Sequence, residues 1–214
     1  EKLSRLLRTY AVPSVIAMLV SSIYNIVDQI FIGQGVGYLG NAATNVAYPL
    51  TTICLAIALL IGIGSASRFS LKLGAGQPDD AAQTVGTAVC MMISLGVLYV
   101  ILIEIFLNPL LHAFGATADV LPYAQEYTRI TAAGMPLLIL TNGMSNLARA
   151  DGSPKYSMTC MLLGAVINTI LDPIFIFVFR WGMMGAAVAT VLGQILTAAL
   201  AIWYLCHMKA VRLE

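Results

Sequence analysis

Six long apolar stretches, separated by short polar connections, form the main pattern of this sequence. A helix needs about 20 predominantly apolar residues to cross the hydrocarbon core of a bilayer. Each stretch reaches that length and carries few charged side chains. The pattern therefore predicts six membrane-spanning helices, which we place at 10–33, 42–70, 82–107, 120–147, 156–179 and 184–207.

The composition agrees with a membrane protein. Hydrophobic residues make up 59% of the 214 residues and charged residues 10%, whereas a soluble domain has about 25% charged residues. The mean hydropathy is +0.88. A formal net charge of +1 gives no indication of a nucleic-acid partner. We therefore expect an all-α integral membrane protein that forms a six-helix bundle surrounded by membrane lipid.

The sequence contains no motif for a cofactor, a metal site or a catalytic nucleophile. The segment GAGQPDD, 74–80, lacks the spacing of a phosphate-binding loop and follows no strand. The four cysteines lie inside apolar stretches, where we expect small buried side chains rather than disulfides or metal ligands. If the protein transports actively, an ion gradient has to drive it, unless a partner chain hydrolyses ATP.

The basic residues predict the orientation of the helices, because cytoplasmic loops are enriched in Lys and Arg. Nine basic residues fall on the side that holds both termini, and only Arg180 falls on the other. Both termini are therefore predicted to be cytoplasmic. Arg129 lies within the fourth span, where we expect an ion pair with Glu126, three residues before it. The nine residues are Lys2, Arg5, Arg8, Arg68, Lys72, Arg149, Lys155, Lys209 and Arg212.

Two aspartates, Asp28 and Asp172, lie inside apolar stretches that otherwise carry no charge. A carboxylate at membrane depth costs roughly 2.5–3.5 kcal/mol on insertion scales, so it rarely faces lipid. Its usual role is in an ion or proton pathway inside a helical bundle. The pair therefore predicts a transporter whose coupling ion, a proton or sodium, binds at these two side chains.

The predicted orientation places several polar side chains at one depth. At 1.5 Å per residue, Asp28 lies about 7–8 Å, Asp172 about 10 Å and Thr190 about 9 Å from the outer ends of their helices. Asn168 precedes Asp172 by four residues and shares its helix face. Three helices therefore offer oxygen-bearing side chains in the outer half of the membrane. The alternative is ordinary hydrogen bonding between helices, which is common for Asn, Thr and Gln.

Neighbouring polar residues and prolines add to this candidate site. Tyr24 and Asn25 share the face of Asp28, and Gln194 shares the face of Thr190, so we expect these three to support the site. Pro173 removes the N–H that would bond to the carbonyl of Thr169, which predicts a disturbed turn beside Asp172. A further set of small residues on the sixth helix predicts close helix packing: Gly185, Ala189, Gly193, Thr197 and Ala201.

Four segments, taken in order, resemble the multidrug and toxic compound extrusion (MATE) transporters. They are VDQIFIG at 27–33, RFSLKLGAGQPDDAA at 68–82, ARADGSPKYSM at 148–158, and NTILDPIFIF at 168–177 followed by WGMMGAAVAT at 181–190. In that family two six-helix bundles face each other across a cavity. The resemblance implies that residues 1–214 form the amino-terminal bundle, and that the second lobe comes from the same full-length protein or from a partner chain.

The resemblance also implies roles for particular residues. Members of the family use an aspartate in helix one, an Asn-x-x-x-Asp pair in helix five and a threonine in helix six. The matching residues here are Asp28, Asn168, Asp172 and Thr190. The family bends helix one near a proline, which makes Pro13 the candidate hinge.

Three functions follow as alternatives. The resemblance implies a secondary transporter of the cell (inner) membrane, not an enzyme, that exports amphipathic and often cationic organic compounds in exchange for protons or sodium. A lipid-linked oligosaccharide flippase of the same superfamily is the second alternative, disfavoured by the scarcity of basic residues within the spans. An intramembrane aspartyl protease would need Tyr-Asp and Gly-x-Gly-Asp, and neither motif is present.

Overall fold

The computed structural model describes residues 3–208, with the backbone alone described at 3–10, 13 and 17. This part of the chain folds into six α-helices with no strands. A short π-helical segment, Ile174–Val178, directly follows the fifth helix. The six helices are α1 (Leu3–Gly35), α2 (Tyr38–Gly74), α3 (Pro78–Ala113), α4 (Leu121–Ala150), α5 (Pro154–Pro173) and α6 (Gly182–Leu205).

Each predicted span falls on one helix, with ends that differ by up to seven residues, and four of the six helices are longer than predicted. Five of the described helices are long and apolar enough to cross a membrane, and α4 is the exception. Its lower hydropathy has a structural reason. Helix α4 lies at the centre of the bundle, where it packs against α2, α3 and α6, so little of its surface has to face lipid.

The helices divide into a tightly packed group and a more open one. Helices α2, α3 and α4, which we call the α2–α4 block, enclose most of the large buried apolar side chains. Helix α1 packs chiefly against α5 and makes little contact with α2. Helix α6 joins the two groups, because it packs against both α4 and α5. This arrangement leaves space between α1 and the block.

Helix α5 stays regular through the turn at 169–173, where the sequence predicted a disturbance, and departs from regular geometry directly after it. The π-helical segment begins directly after Pro173, and the N–H of Phe179 bonds to the carbonyl of Ile174 at 3.0 Å. A proline cannot donate the helical hydrogen bond, and π-turns within helices are often found at functional sites. The chain then turns into α6 through left-handed backbone at Arg180 (φ 57°) and Gly182 (φ 55°).

The small residues of α6 pack as predicted, since all five are buried. A methyl group on the Cα of Gly185 would lie 2.9 Å from the backbone of Phe175, and one on Gly164 would lie 2.4 Å from Thr197. Helices α5 and α6 therefore approach closely enough to exclude larger side chains at these positions.

Two smaller expectations were wrong. Cys54 and Cys160 are buried, but Cys90 and Cys206 are exposed on the surface of the bundle. Glu126 and Arg129 do not pair, and the single ion pair among the side chains that the structure describes joins Lys72 to Asp80 at 2.7 Å. Exposed long side chains lose rotamer entropy when they pair, so spacing alone does not produce an ion pair.

Candidate functional site

A cavity of about 280 Å³, partly open to the outside of the bundle, lies between α1, α2, α4, α5 and α6. It occupies the space that the loose contact between α1 and α2 leaves. Asp28, Asn168 and Thr190, three of the four predicted site residues, line this cavity. Asp172 lies behind its wall and is completely buried.

The two aspartates meet at the wall of the cavity. The carboxyl groups of Asp28, on α1, and Asp172, on α5, lie within hydrogen-bonding contact of each other. Asp28 is 7% exposed and Asp172 is 0% exposed. One oxygen of each, Oδ1, is buried without a hydrogen-bond donor in the described part of the chain. Two carboxylates in contact repel each other strongly at low dielectric, and a proton on one of them removes that repulsion.

Asn168 links the aspartates to α6. When its amide nitrogen is oriented toward Asp172, it donates to Oδ2 at 2.8 Å, and its oxygen accepts from the backbone N–H of Thr190 at 3.2 Å. This orientation satisfies both ends of the amide, which is how amide orientation is assigned. Asn168 and Asp172 occupy one face of α5, four residues apart, as the sequence predicted. The Asn-x-x-x-Asp pair therefore acts as a single polar unit against α6.

Two tyrosines complete the cluster. Tyr24, on α1, and Tyr127, on α4, both line the cavity close to Thr190. Tyr24 was predicted as a supporting residue, but Tyr127 was not. Tyr127 lies six residues after the start of α4, or about 9 Å along the helix, a distance similar to those predicted for Asp28, Asp172 and Thr190 from the ends of their helices. The sequence analysis compared distances from the helix ends only for side chains on α1, α5 and α6. The same comparison on α4 would have identified Tyr127.

The remaining predicted residues differ in what they contribute. Asn25 lines the cavity, but its side-chain amide donates to the carbonyl of Ser21 at 2.7 Å and does not reach the aspartates. Gln194 lines the cavity, and its Oε1 is buried without a partner. The side chain of Pro13 lies outside the described residues, so its role as a hinge stays a prediction. Gln29, which the sequence did not single out, bonds to Thr44 across the cavity at 3.1 Å.

The chemistry of this cavity is acidic, aromatic and amide-rich. None of its described lining residues is Lys, Arg or His. No group of three or more His, Cys, Asp or Glu side chains within the described part of the chain has the arrangement of a metal site. The wall can therefore bind a proton or a small cation at the carboxyl pair and present aromatic and amide groups to a larger molecule.

These features define a class of protein: a helical lobe embedded in the membrane, with a cavity beside a pair of carboxyl groups. The profile of the MatE family matches residues 13–174. The match covers most of the chain, and the chain therefore belongs to the MatE family, whose members are secondary transporters and not enzymes.

Individual relatives agree with this assignment. The chain is 29% identical over 199 residues to "Multidrug export protein MepA" of Staphylococcus saprophyticus, covering 91% of this chain and 43% of that protein. It is 29% identical over 216 residues to "FAD transporter" of Shewanella oneidensis, covering 99% of this chain and 47% of that protein.

A solved structure shows the same fold. The bundle superposes on an outward-facing multidrug resistance MATE family transporter of the MOP superfamily with a TM-score of 0.91 and 27% identity, covering 97% of this chain and 46% of that one. The chain thus spans about half the length of the relatives that it matches. The fold and family predicted from the sequence are confirmed.

Proposed function

We propose that this chain is one lobe of an ion-coupled exporter of amphipathic organic cations. The observation that carries the proposal is the contact between Asp28 and Asp172 beside a large cavity. The similarity to MepA, a multidrug export protein, supports the export function. The coupling ion is a proton or sodium, and the protein uses no other cofactor.

The lining of the cavity favours a cationic substrate. Asp28 contributes a carboxyl group, while Tyr24, Tyr48 and Tyr127 contribute aromatic rings. Aromatic faces attract cations, and a desolvated site strengthens this attraction. A flavin nucleotide, the substrate named for the Shewanella relative, carries a negatively charged pyrophosphate. Such a group would meet no basic side chain among the described lining residues, so we favour cations.

The coupling mechanism follows from competition for the carboxyl pair. A proton shared by Asp28 and Asp172, or a sodium ion held by their oxygens with those of Asn168 and Thr190, neutralises the pair. A cationic substrate near Asp28 is then attracted less strongly. Binding of the ion therefore weakens binding of the substrate, and reciprocity requires that substrate weakens binding of the ion by the same factor.

This competition can be tested by equilibrium binding to the purified two-lobe transporter. The affinity for a fluorescent cation should fall as pH drops or as sodium concentration rises, and Asp28→Asn should flatten that response. Gln29→Asn, a change at a cavity residue held by Thr44, serves as a control that retains the response. An affinity that is indifferent to both pH and sodium in the unmodified protein would contradict the mechanism.

The setting of the lobe is part of the proposal. We place it in the cell (inner) membrane with both termini in the cytoplasm, paired with a second six-helix lobe, on the bias of loop Lys and Arg. Cysteines introduced at 115–119, between α3 and α4, should react with an impermeant reagent added outside intact cells. Cysteines at 77–80, at the start of α3, should not. The opposite labelling pattern would reverse the orientation.

The two alternatives raised by the sequence are weaker. An oligosaccharide flippase of the superfamily would need cationic groups for a pyrophosphate-linked substrate, and the described cavity lining offers none. The protease alternative was wrong, because the family to which the chain belongs consists of transporters and not of enzymes.

A further inference from the structure

Gln194 and Gln29 line the same cavity, but only one of them has a hydrogen-bond partner. The amide of Gln29 donates to the hydroxyl of Thr44 at 3.1 Å and accepts from the same hydroxyl at 3.2 Å. The side-chain amide of Gln194 makes no hydrogen bond to any described residue, and its Oε1 is buried. A buried amide oxygen without a donor is unfavourable, so an unpaired one in a native fold requires an explanation.

The absence of a side chain at Gly134, on α4, leaves room for the side chain of Gln194. A methyl group on the Cα of Gly134 would lie 1.9 Å from Oε1 of Gln194, far inside van der Waals contact, so the glutamine side chain would have to shift. Only glycine at position 134 accommodates the side chain in this position. The fold therefore holds a polar group against the cavity wall without supplying the hydrogen bond that would satisfy it.

Gln194 also has a suitable position for contact with a bound molecule. It follows Thr190 by one helical turn on the same face of α6, so it lies next to the coupling cluster without belonging to it. The terminal torsion of a glutamine is broad and two-fold, which allows the amide to turn its oxygen toward the cavity. A molecule whose positive charge lies near Asp28 would bring its neighbouring atoms into the reach of this amide.

We infer that Gln194 is a specificity-determining residue that accepts a hydrogen bond from an N–H group of the transported cation. The inference rests on the proposed function and adds to it a substrate class, cations that carry N–H donors. The charge of the substrate is recognised at the carboxyl pair, and its N–H donor is recognised at Gln194. A cation without N–H groups would use the first interaction alone.

Two probe cations separate these interactions. Ethidium carries two aromatic amino groups, whereas tetraphenylphosphonium carries the same charge and no N–H. In the complete two-lobe transporter, Gln194→Leu should weaken ethidium binding about tenfold, the loss expected for one hydrogen bond in a desolvated site. Binding of tetraphenylphosphonium should stay within about twofold, because its interactions do not involve the amide.

The thermal stability of the same variants provides an independent readout. Gln194→Leu removes an unsatisfied buried group, so the melting temperature in detergent should stay the same or rise. The matched change Gln29→Leu breaks the bonds to Thr44 and should lower it. Gly134→Ala, which displaces Gln194, should reproduce the selective loss of ethidium binding, and Gly86→Ala, on α3, where an added methyl group meets no other atom within 4 Å, should not.

The outcomes distinguish this inference from the proposed function. Equal weakening of both cations by Gln194→Leu, or no change in either, overturns the role of Gln194 while leaving ion-coupled export of cations intact. A large fall in melting temperature with Gln194→Leu would make the residue structural and also overturns the inference. If the unmodified transporter binds neither cation at any pH or sodium concentration, the proposed function fails and the inference fails with it.

Discussion

The α2–α4 block and the side of the bundle formed by α1 and α5 bury different kinds of side chain. The block holds nine of the twelve largest fully buried side chains of the described chain, among them Phe69, Met92 and Leu147. Helix α5 contributes one, and that one is Asp172. The block therefore buries apolar groups that pack, while the opposite side buries a carboxyl group beside a second one.

This difference separates stability from function. Between helices in a membrane, close packing is the main source of stability, because lipid is as apolar as the side chains. A contact between two carboxyl groups contributes no such stability and responds to protons and cations. The break in regular helix after Pro173 and the sparse contact of α1 with α2 lie on the same side. We therefore expect the α2–α4 block to be a rigid scaffold and α1 with α5 to change shape during transport.

The largest effect is expected from neutralising the carboxyl pair. Asp172→Asn and Asp28→Asn should each reduce ion-coupled export by the two-lobe transporter to the background of cells that lack it, because a single carboxyl group can no longer exchange its ion for substrate. Expression and melting temperature should be unchanged or higher, since an amide in place of a buried carboxyl group removes a desolvation cost.

Export assays in cells, normalised to the amount of transporter in the membrane, measure this effect. Asp119→Asn, in the connection that precedes α4, provides a matched control outside the cavity and should export normally. Full drug resistance with either cavity variant at normal expression would remove that aspartate from the coupling site.

The next effect concerns stability in the α2–α4 block. Phe69 is 0% exposed, and Phe69→Ala should lower the free energy of unfolding by about 3 kcal/mol, the low end of the range for soluble proteins. The low end applies because lipid solvates an exposed ring better than water does. Leu60→Ala, at a position on α2 that is 79% exposed, should change stability by less than about 0.5 kcal/mol.

Unfolding in mixed micelles gives both values. The folded fraction of Phe69→Ala should retain substrate binding that responds to pH or sodium, since the coupling cluster lies on other helices. A loss of that response at unchanged stability would contradict the separation of the two regions.

The parts of the molecule that were predictable from the sequence are those that local patterns determine. Apolar length placed the helices, and the spacing of Asn168 and Asp172 placed both on one face. Contacts between helices were not predictable in this way. No periodicity indicates that Gln29 bonds to Thr44 while Gln194 stays unpaired, because each depends on which side chain faces it from another helix. The central position of α4, and with it the role of Tyr127, likewise depends on packing.

The smallest effect is expected at the prolines and compares the two regions directly. Pro173→Ala supplies the missing N–H, which should extend regular helix past Asp172 and shift the π-helical segment. We expect export to fall several-fold, because the turn that positions Asp172 changes, while stability stays equal or rises by about 1–3 kcal/mol. Pro49→Ala makes the same change inside α2 of the block and should leave export within about twofold.

Initial export rates at matched expression, measured beside melting temperatures, test the pair. If both variants lost export equally, prolines would matter to the bundle as a whole, and the difference between the rigid block and the mobile side would not hold.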